Sequence, residues 1–310
     1  MKGKIHKNDQ VALITGCGSG IARHLCTVMS EQGYRILAAD INPDSLKESA
    51  KTLAWDSNRV QLAKLDVRSH TDWRKAISVV IKKWSRLDVC MNIAGFDIQG
   101  FVRDFQLEHI DLHLDINAKG AILGTKFAAD VMIRQGHGHI INMCSLAGLA
   151  PVPGISLYSA SKFALRGFTL AAYYELKPLG VHVSLVEPDL VDTAKLTTQL
   201  IYDEDQAAAV GFSAPRILTV EDISRKIIID VLGKKKLEVA IPGYRGLLCK
   251  FGGSFPTLSE KLFGAMAKSG LKSIAKERAR RGNLKKLMTP DRWILEKELK
   301  KPIAKKHSHN

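Results

Sequence analysis

Seven short apolar runs, separated by longer stretches of helical period, constrain this chain more than any other feature. The runs are Val11–Thr15, Arg35–Asp40, Val60–Leu65, Leu87–Met91, His139–Cys144, Val181–Glu187 and Leu237–Ile241. Between them, helical patterns are predicted near 21–32, 44–54, 71–84, 105–135, 156–178 and 221–233. Several runs are apolar throughout instead of alternating, as befits strands covered on both faces. Strand–helix–strand repetition of this kind predicts an α/β architecture with a doubly wound parallel sheet.

At 310 residues and 45% hydrophobic content, the chain can bury one large core, so global disorder is excluded. Cys17, Cys26, Cys90, Cys144 and Cys249 are odd in number and lack CxxC spacing. That pattern fits a reducing compartment and argues against a disulfide framework or a zinc site. The His307/His309 pair is too sparse for a metal site, and none is expected. VALITG is too short for the apolar region of a signal peptide, and no run reaches membrane-spanning length. A cytoplasmic location is expected.

The net charge of +15 is unevenly placed: residues 244–310 carry 17 Lys/Arg against 5 Asp/Glu, the rest 29 against 26. The basic character therefore belongs to the tail, and overall charge gives no argument for a nucleic-acid enzyme. We divide the chain into a main domain, 1–243, and a basic, partly amphipathic extension, 244–310.

The first run ends in TGCGSGIA, Thr15 to Ala22, and a helix follows. Glycines at such a turn let the backbone approach a pyrophosphate, which then rests on the N–H groups of the helix N-terminus. Asp40 closes the second strand 20 residues after Gly20, the distance at which a carboxylate accepts from ribose hydroxyls. Together they predict a dinucleotide-binding Rossmann fold. A carboxylate repels a 2′-phosphate, and Cys17, Gly18 and Ile41 are not basic, so NAD(H) is preferred to NADP(H).

Further on, YSASKFAL places Lys162 one helical turn beyond Tyr158. A phenol ordinarily keeps its proton to about pH 10. A nearby ammonium favours the phenolate and brings it toward the working range of an acid/base catalyst. Ser145 ends the strand HIINMC, 13 residues before Tyr158, and Asn117 stands in the long helix before it.

In this order and spacing, the glycine turn, Asn92-Ile93-Ala94-Gly95, Asn117, Ser145 and Tyr158-x-x-x-Lys162 resemble the short-chain dehydrogenase/reductase family over about residues 8–242. The resemblance implies an NAD-dependent oxidoreductase that interconverts an alcohol and its carbonyl. Thr15, Gly16, Gly20 and Ala22 match the family's phosphate turn, and Ile21 is counted with them as cofactor-binding. Asp66 and Val67 match the pair that contacts adenine, and Asn92, Ala94 and Gly95 match the loop lining the adenosine ribose. By the same resemblance, Tyr158 exchanges the proton and Lys162 lowers its pKa and binds the nicotinamide ribose. Ser145 holds the substrate oxygen, and Asn117 completes a water-linked relay. In PDLVDT, Pro188 and Thr193 match, Thr193 at the nicotinamide carboxamide. Ile93 replaces the family's second asparagine, and Asp189 replaces its glycine. A carboxylate beside the nicotinamide would favour the oxidised cofactor. The family also implies a homodimer or homotetramer through the long helices.

Residues Ala194 to Leu218 occupy the place of the family's substrate lid and mix apolar residues with Asp203, Glu204 and Asp205. With the apolar loop Leu146–Ile155 they suggest an uncharged, lipophilic substrate. In the tail, Leu258, Leu262, Phe263 and Met266 recur at helical spacing, with Leu247, Leu248 and Phe251 before them and the Lys/Arg-rich stretch 272–286 after. Two readings fit equally: a peripheral helix drawn to anionic membrane surfaces, or a helix packed on the core or on a second copy. Trp293 is the only tryptophan of the tail, which lacks the aromatic interleaving of a nucleic-acid binder. From another function class, a non-catalytic dinucleotide sensor or scaffold on the same fold is the alternative.

Overall fold

The computed structural model describes residues 10–193 and 216–281. Its centre is a seven-stranded parallel sheet in the order β3-β2-β1-β4-β5-β6-β7. The strands are β1 (Val11–Thr15), β2 (Arg35–Asp40), β3 (Val60–Lys64), β4 (Val89–Asn92), β5 (Gly138–Met143), β6 (Val181–Pro188) and β7 (Glu238–Ile241). The helices are α1 (Gly20–Glu31), α2 (Pro43–Thr52), α3 (His70–Trp84), α4 (Leu107–His113), α5 (Gly120–Gln135), α6 (Ser156–Leu176), α7 (Val220–Lys226), α8 (Gly243–Ser254) and α9 (Pro256–Arg281). Strand order reverses between β1 and β4, so a crevice opens at their carboxyl ends, where ligands of such sheets bind.

Period-two alternation feeds two cores from one strand. Ala12 and Ile14 of β1 join Leu25 and Met29 of α1, Leu46 of α2 and Ile223 of α7 on one face. Val11 and Leu13 join Trp73 and Val80 of α3 and Ala128 and Met132 of α5 on the other. Burial of each such side chain is worth about 1.5–3 kcal/mol, and the few polar residues the strands bury, such as Thr15, Asn92 and Asn142, are hydrogen-bonded.

The predicted helix over 105–135 is broken by a π-turn at Leu114–Lys119, and the one over 221–233 ends in a second, Ile227–Gly233. The extra residue in a π-turn shifts the facing of side chains without ending the helix. The boundary expected at 243 falls on the first residue of α8, which packs directly onto the main domain: a Cβ at Gly246 would come within 2.1 Å of Ala240 Cβ in β7. Residues 194–215, with Asp203, Glu204 and Asp205, lie outside the described residues, as do the side chains of Leu258, Leu262, Phe263 and Met266.

Candidate active site

The phosphate turn is built by two left-handed glycines. Gly16 (φ 85°) follows β1 and Gly20 (φ 57°) opens α1, a region that L side chains rarely adopt. The N–H groups of Gly16 and Cys17 both reach Ala39 O, at 2.8 and 3.1 Å. A Cβ at Gly16 would sit 3.1 Å from Ala94 Cα, so this turn and the loop after β4 touch.

Asn42 caps α2 and Ser69 caps α3 with side-chain acceptors, whereas Ser19 gives α1 no side-chain cap and its first turn carries no acid. The α1 N-terminus thus keeps its donors and positive dipole end for an external anion. Beside it, Gly18 N–H donates to Asp40 Oδ2 (2.8 Å) and Asn42 N–H to Oδ1 (3.0 Å). A Cβ at Gly18 would lie 3.0 Å from Asp40 Oδ2 and 2.9 Å from Ser45 Oγ, so only glycine lets the backbone and the carboxylate share this hollow. Burial pushes the Asp40 carboxyl up and those two N–H donors pull it back, burial being the larger effect. The residues present fit a dinucleotide.

Other residues expected to contact it carry visible structural duties. Thr15 Oγ1 accepts from Ile93 N (3.0 Å) and Ala94 N (3.1 Å), pinning the loop after β4 to β1. Asn92 is buried and donates to Asn142 Oδ1 (2.8 Å) and Ala121 O (3.3 Å), within an interior network joined by Thr125 and Thr169. The Asp66 carboxylate is gripped by the Arg68 guanidinium (2.6 Å). Val67 is buried and offers its carbonyl to Trp73 Nε1 (3.0 Å). Thr193 comes over the phosphate turn, 3.4 Å from where a Gly20 Cβ would stand. Gly95 lies between Asn117 and Lys162, a Cβ there standing 3.4 Å from Asn117 Oδ1 and 3.9 Å from Lys162 Nζ.

The four residues expected to do the chemistry meet where α6 passes the end of β5. Ser145 begins a 3-10 turn and accepts from Ala147 N (3.1 Å), which leaves its hydroxyl proton free to reach Tyr158, its hydrogen-bond partner. Lys162 is buried, donates to Met143 O (2.9 Å) and stands 5.5 Å from the Tyr158 ring centroid. The π-turn aims Asn117 inward: Oδ1 accepts from Phe96 N (2.7 Å), while Nδ2 donates to Phe96 O (2.8 Å) and Ser161 Oγ (3.1 Å). Ser161 Oγ in turn donates to Tyr158 O (2.7 Å). Asn117 therefore ties the loop after β4 to α6.

Sequence reasoning expected Lys162 to lower the Tyr158 pKa. In the structure burial pushes it strongly up, the Asp97 carboxylate adds to the rise, and the Ser145 hydrogen bond opposes them. Asp97 escaped the sequence reading, having no motif to mark it. It is buried, with Oδ1 3.8 Å from His113 Nε2. His113 Nε2 also accepts from Ile98 N (3.1 Å), and its Nδ1 faces His109 O (2.7 Å).

A model of the short chain dehydrogenase family matches residues 10–203. The chain belongs to that family. As a short chain dehydrogenase it is an oxidoreductase. It is 31% identical over 224 residues to an uncharacterized oxidoreductase of Staphylococcus aureus, covering 70% of this chain and 96% of that protein. It is also 31% identical over 201 residues to a cyclopentanol dehydrogenase of Comamonas, covering 65% of this chain and 80% of that protein. Its fold matches a short chain dehydrogenase/reductase of Burkholderia phymatum, solved in complex with NAD. That match has a TM-score of 0.72 at 21% identity and covers 83% of this chain and 97% of that one.

Where this short chain dehydrogenase departs from the family pattern, α8 answers the departure. Asp189, in the family's glycine position, is paired with Arg245 Nε of α8 at 2.8 Å. The negative charge from which a preference for oxidised cofactor was argued is matched by this guanidinium. Nearby, Arg166 of α6 faces Glu187 (3.3 Å) and Glu238 (2.9 Å), and Lys250 of α8 also pairs with Glu238. Burial and the Glu238 charge push the fully buried Glu187 up to about 8.

Proposed function

We propose that this chain interconverts an uncharged, lipophilic alcohol and its ketone or aldehyde, using NAD(H) as the hydride partner. The observation that carries this reading is the junction of Ser145, Tyr158 and Lys162 at one end of β5, beside an uncapped α1 and a fixed Asp40. The cyclopentanol dehydrogenase among its relatives supports an alcohol as substrate.

The bound dinucleotide would supply or accept the hydride; the remaining work falls to side chains of this chain. Tyr158 gives its phenolic proton to the substrate oxygen in reduction and takes it back in oxidation. Ser145 donates to the same oxygen as charge develops on it. Lys162 holds a ribose hydroxyl and places positive charge beside Tyr158. Gly16, Gly20 and Ile21 would cradle the pyrophosphate, and Asp40 would take the adenosine ribose. Asp66, Val67, Asn92, Ala94 and Gly95 would line the adenosine side, with Pro188 and Thr193 on the nicotinamide side. Asn117 holds the relay and the loop that shapes it.

Two results are expected. Asp40→Asn keeps one acceptor for Gly18 and Asn42 but removes the charge, so the KM for NADP should fall and that for NAD should rise, each by about tenfold, or ~1.4 kcal/mol. An unchanged ratio of the two KM values would remove Asp40 from the specificity argument. The raised Tyr158 pKa keeps the phenol protonated through neutral pH. Reduction should therefore run flat across about pH 6–9 while oxidation climbs with pH, because only the phenolate accepts a proton. Parallel profiles in the two directions would point to another acid/base group.

The same reading includes a homodimer or homotetramer through α5 and α6, whose Ile133, Phe163 and Tyr174 are exposed. It also includes the basic segment 244–310 as a link to anionic membrane surfaces.

A further inference from the structure

The helix α8 presents one continuous apolar stripe outward. Tyr244, Leu247, Leu248 and Phe251 stand at the i, i+3, i+4, i+7 spacing of one helix face, and they are 55%, 71%, 62% and 55% exposed. Phe255, the C-cap residue, continues the stripe, with its ring 5.0 Å from that of Phe251. Five large apolar side chains together on one exposed face are not the scattered surface apolars of an ordinary soluble domain.

The opposite face of α8 is fastened down. Arg245 pairs with Asp189 and Lys250 with Glu238. A Cβ at Gly246 would strike Ala240, and one at Gly253 would come within 2.0 Å of Leu149 O. Leu149 closes the short turn that Ser145 begins. The two basic side chains and the two tight glycines face inward, and the aromatic and leucine side chains face outward. The stripe is therefore mounted on the loop that carries the catalytic serine.

We propose that this stripe lies in the interface of an anionic membrane, with α8 parallel to the surface. The inference rests on the reading of residues 244–310 as a membrane link and names the surface that makes contact. Charge identifies the occupant. The segment holding the stripe carries 17 of the 46 Lys/Arg against 5 of the 31 Asp/Glu. In α9, which follows directly, Lys268, Lys272 and Lys276 are exposed. A second copy of this chain would bring the same excess of positive charge against itself, whereas phosphate headgroups neutralise it. A tyrosine at one end of a leucine–phenylalanine stripe suits the boundary between headgroups and acyl chains. None of the described helices is long and apolar enough to cross a membrane.

The test uses the full chain, mixed phosphatidylcholine–phosphatidylglycerol vesicles and phosphatidylcholine vesicles, read by co-sedimentation. The wild type should bind the anionic vesicles, and the double variant Leu247→Ser/Phe251→Ser should bind them at least about tenfold more weakly. Turnover of a water-soluble alcohol should be unchanged in that variant. Leu247→Trp should bind more tightly than wild type, which keeps the test decisive if the double variant folds poorly. Equal binding by all three proteins would overturn the stripe while leaving a charge-driven tail in place. No binding by the wild type would overturn both. A wild-type dimer that the double variant converts to monomer would assign the stripe to a second copy and overturn the membrane seat.

Discussion

A Tyr158→Phe enzyme should lose about 10²–10⁴-fold in kcat, the usual worth of a positioned proton donor. The ring stays, so the buried packing of the site stays with it. The loss should be confined to chemistry: NADH titrated against the variant should bind as it does to wild type, and the melting temperature should hardly move. Ser145 would still polarise the substrate oxygen, so a small residual rate is expected. Full activity on any alcohol the wild type oxidises would defeat the assignment of Tyr158 as the proton-exchanging group. So would a variant that lost NADH binding in step with rate, because Tyr158 would then be a cofactor contact only.

Gly124→Ala should cost about 3 kcal/mol or more of stability, at the upper end of what overpacking a core costs. The methyl would land 2.0 Å from Asn92 Oδ1 and 2.6 Å from the Trp73 ring. Neither neighbour can step aside: Trp73 is fully buried, and Asn92 is held by Asn142 and Ala121. Displacing Asn92 would leave buried polar atoms short of partners, which costs a further 1–3 kcal/mol or so. In a domain of this size that corresponds to a fall in Tm of about 10 °C. Gly167→Ala, in the middle of α6 with nothing within 4 Å of the added Cβ, is the control. It should leave stability level or raise it by about 0.5–1 kcal/mol. If Gly124→Ala melted where Gly167→Ala does, the interior would be looser than these contacts imply.

The sheet was legible because burial on both faces leaves a mark that composition alone can carry. β1 and β2 have the bounds read from the sequence, and the other strands differ by at most two residues at either end. The π-turns were not legible. Hydrophobic period cannot register one added residue, yet that residue is what turns Asn117 toward Phe96 and Ser161. The spacing of Tyr158, Lys162 and Ser145 anticipated that these side chains gather at one end of β5, but not their balance of charge. Asp97, remote in sequence from Tyr158, raises the phenol's pKa, and Lys162 spends a hydrogen bond on Met143 O. Asp189 looked in the sequence like an uncompensated carboxylate because its partner, Arg245, lies 56 residues on. Ion pairs closed by folding leave no local signature, which also hid Arg166 and Lys250 around Glu238.

Helix α6 carries Tyr158, Lys162 and Arg166 one turn apart, so the helix that bears the proposed acid/base pair also receives, through Glu238, the anchorage of α8. A cut after residue 243 would remove both Arg245 and Lys250. Asp189 would then lose its partner, and Glu238 would keep Arg166 alone. Against the helix that carries Tyr158 and Lys162, uncompensated carboxylate charge of that kind is a fault in the foundation. The smallest autonomous enzyme in this chain should therefore run at least to Ser254, and grafting or trimming of its far end should begin no earlier than Pro256.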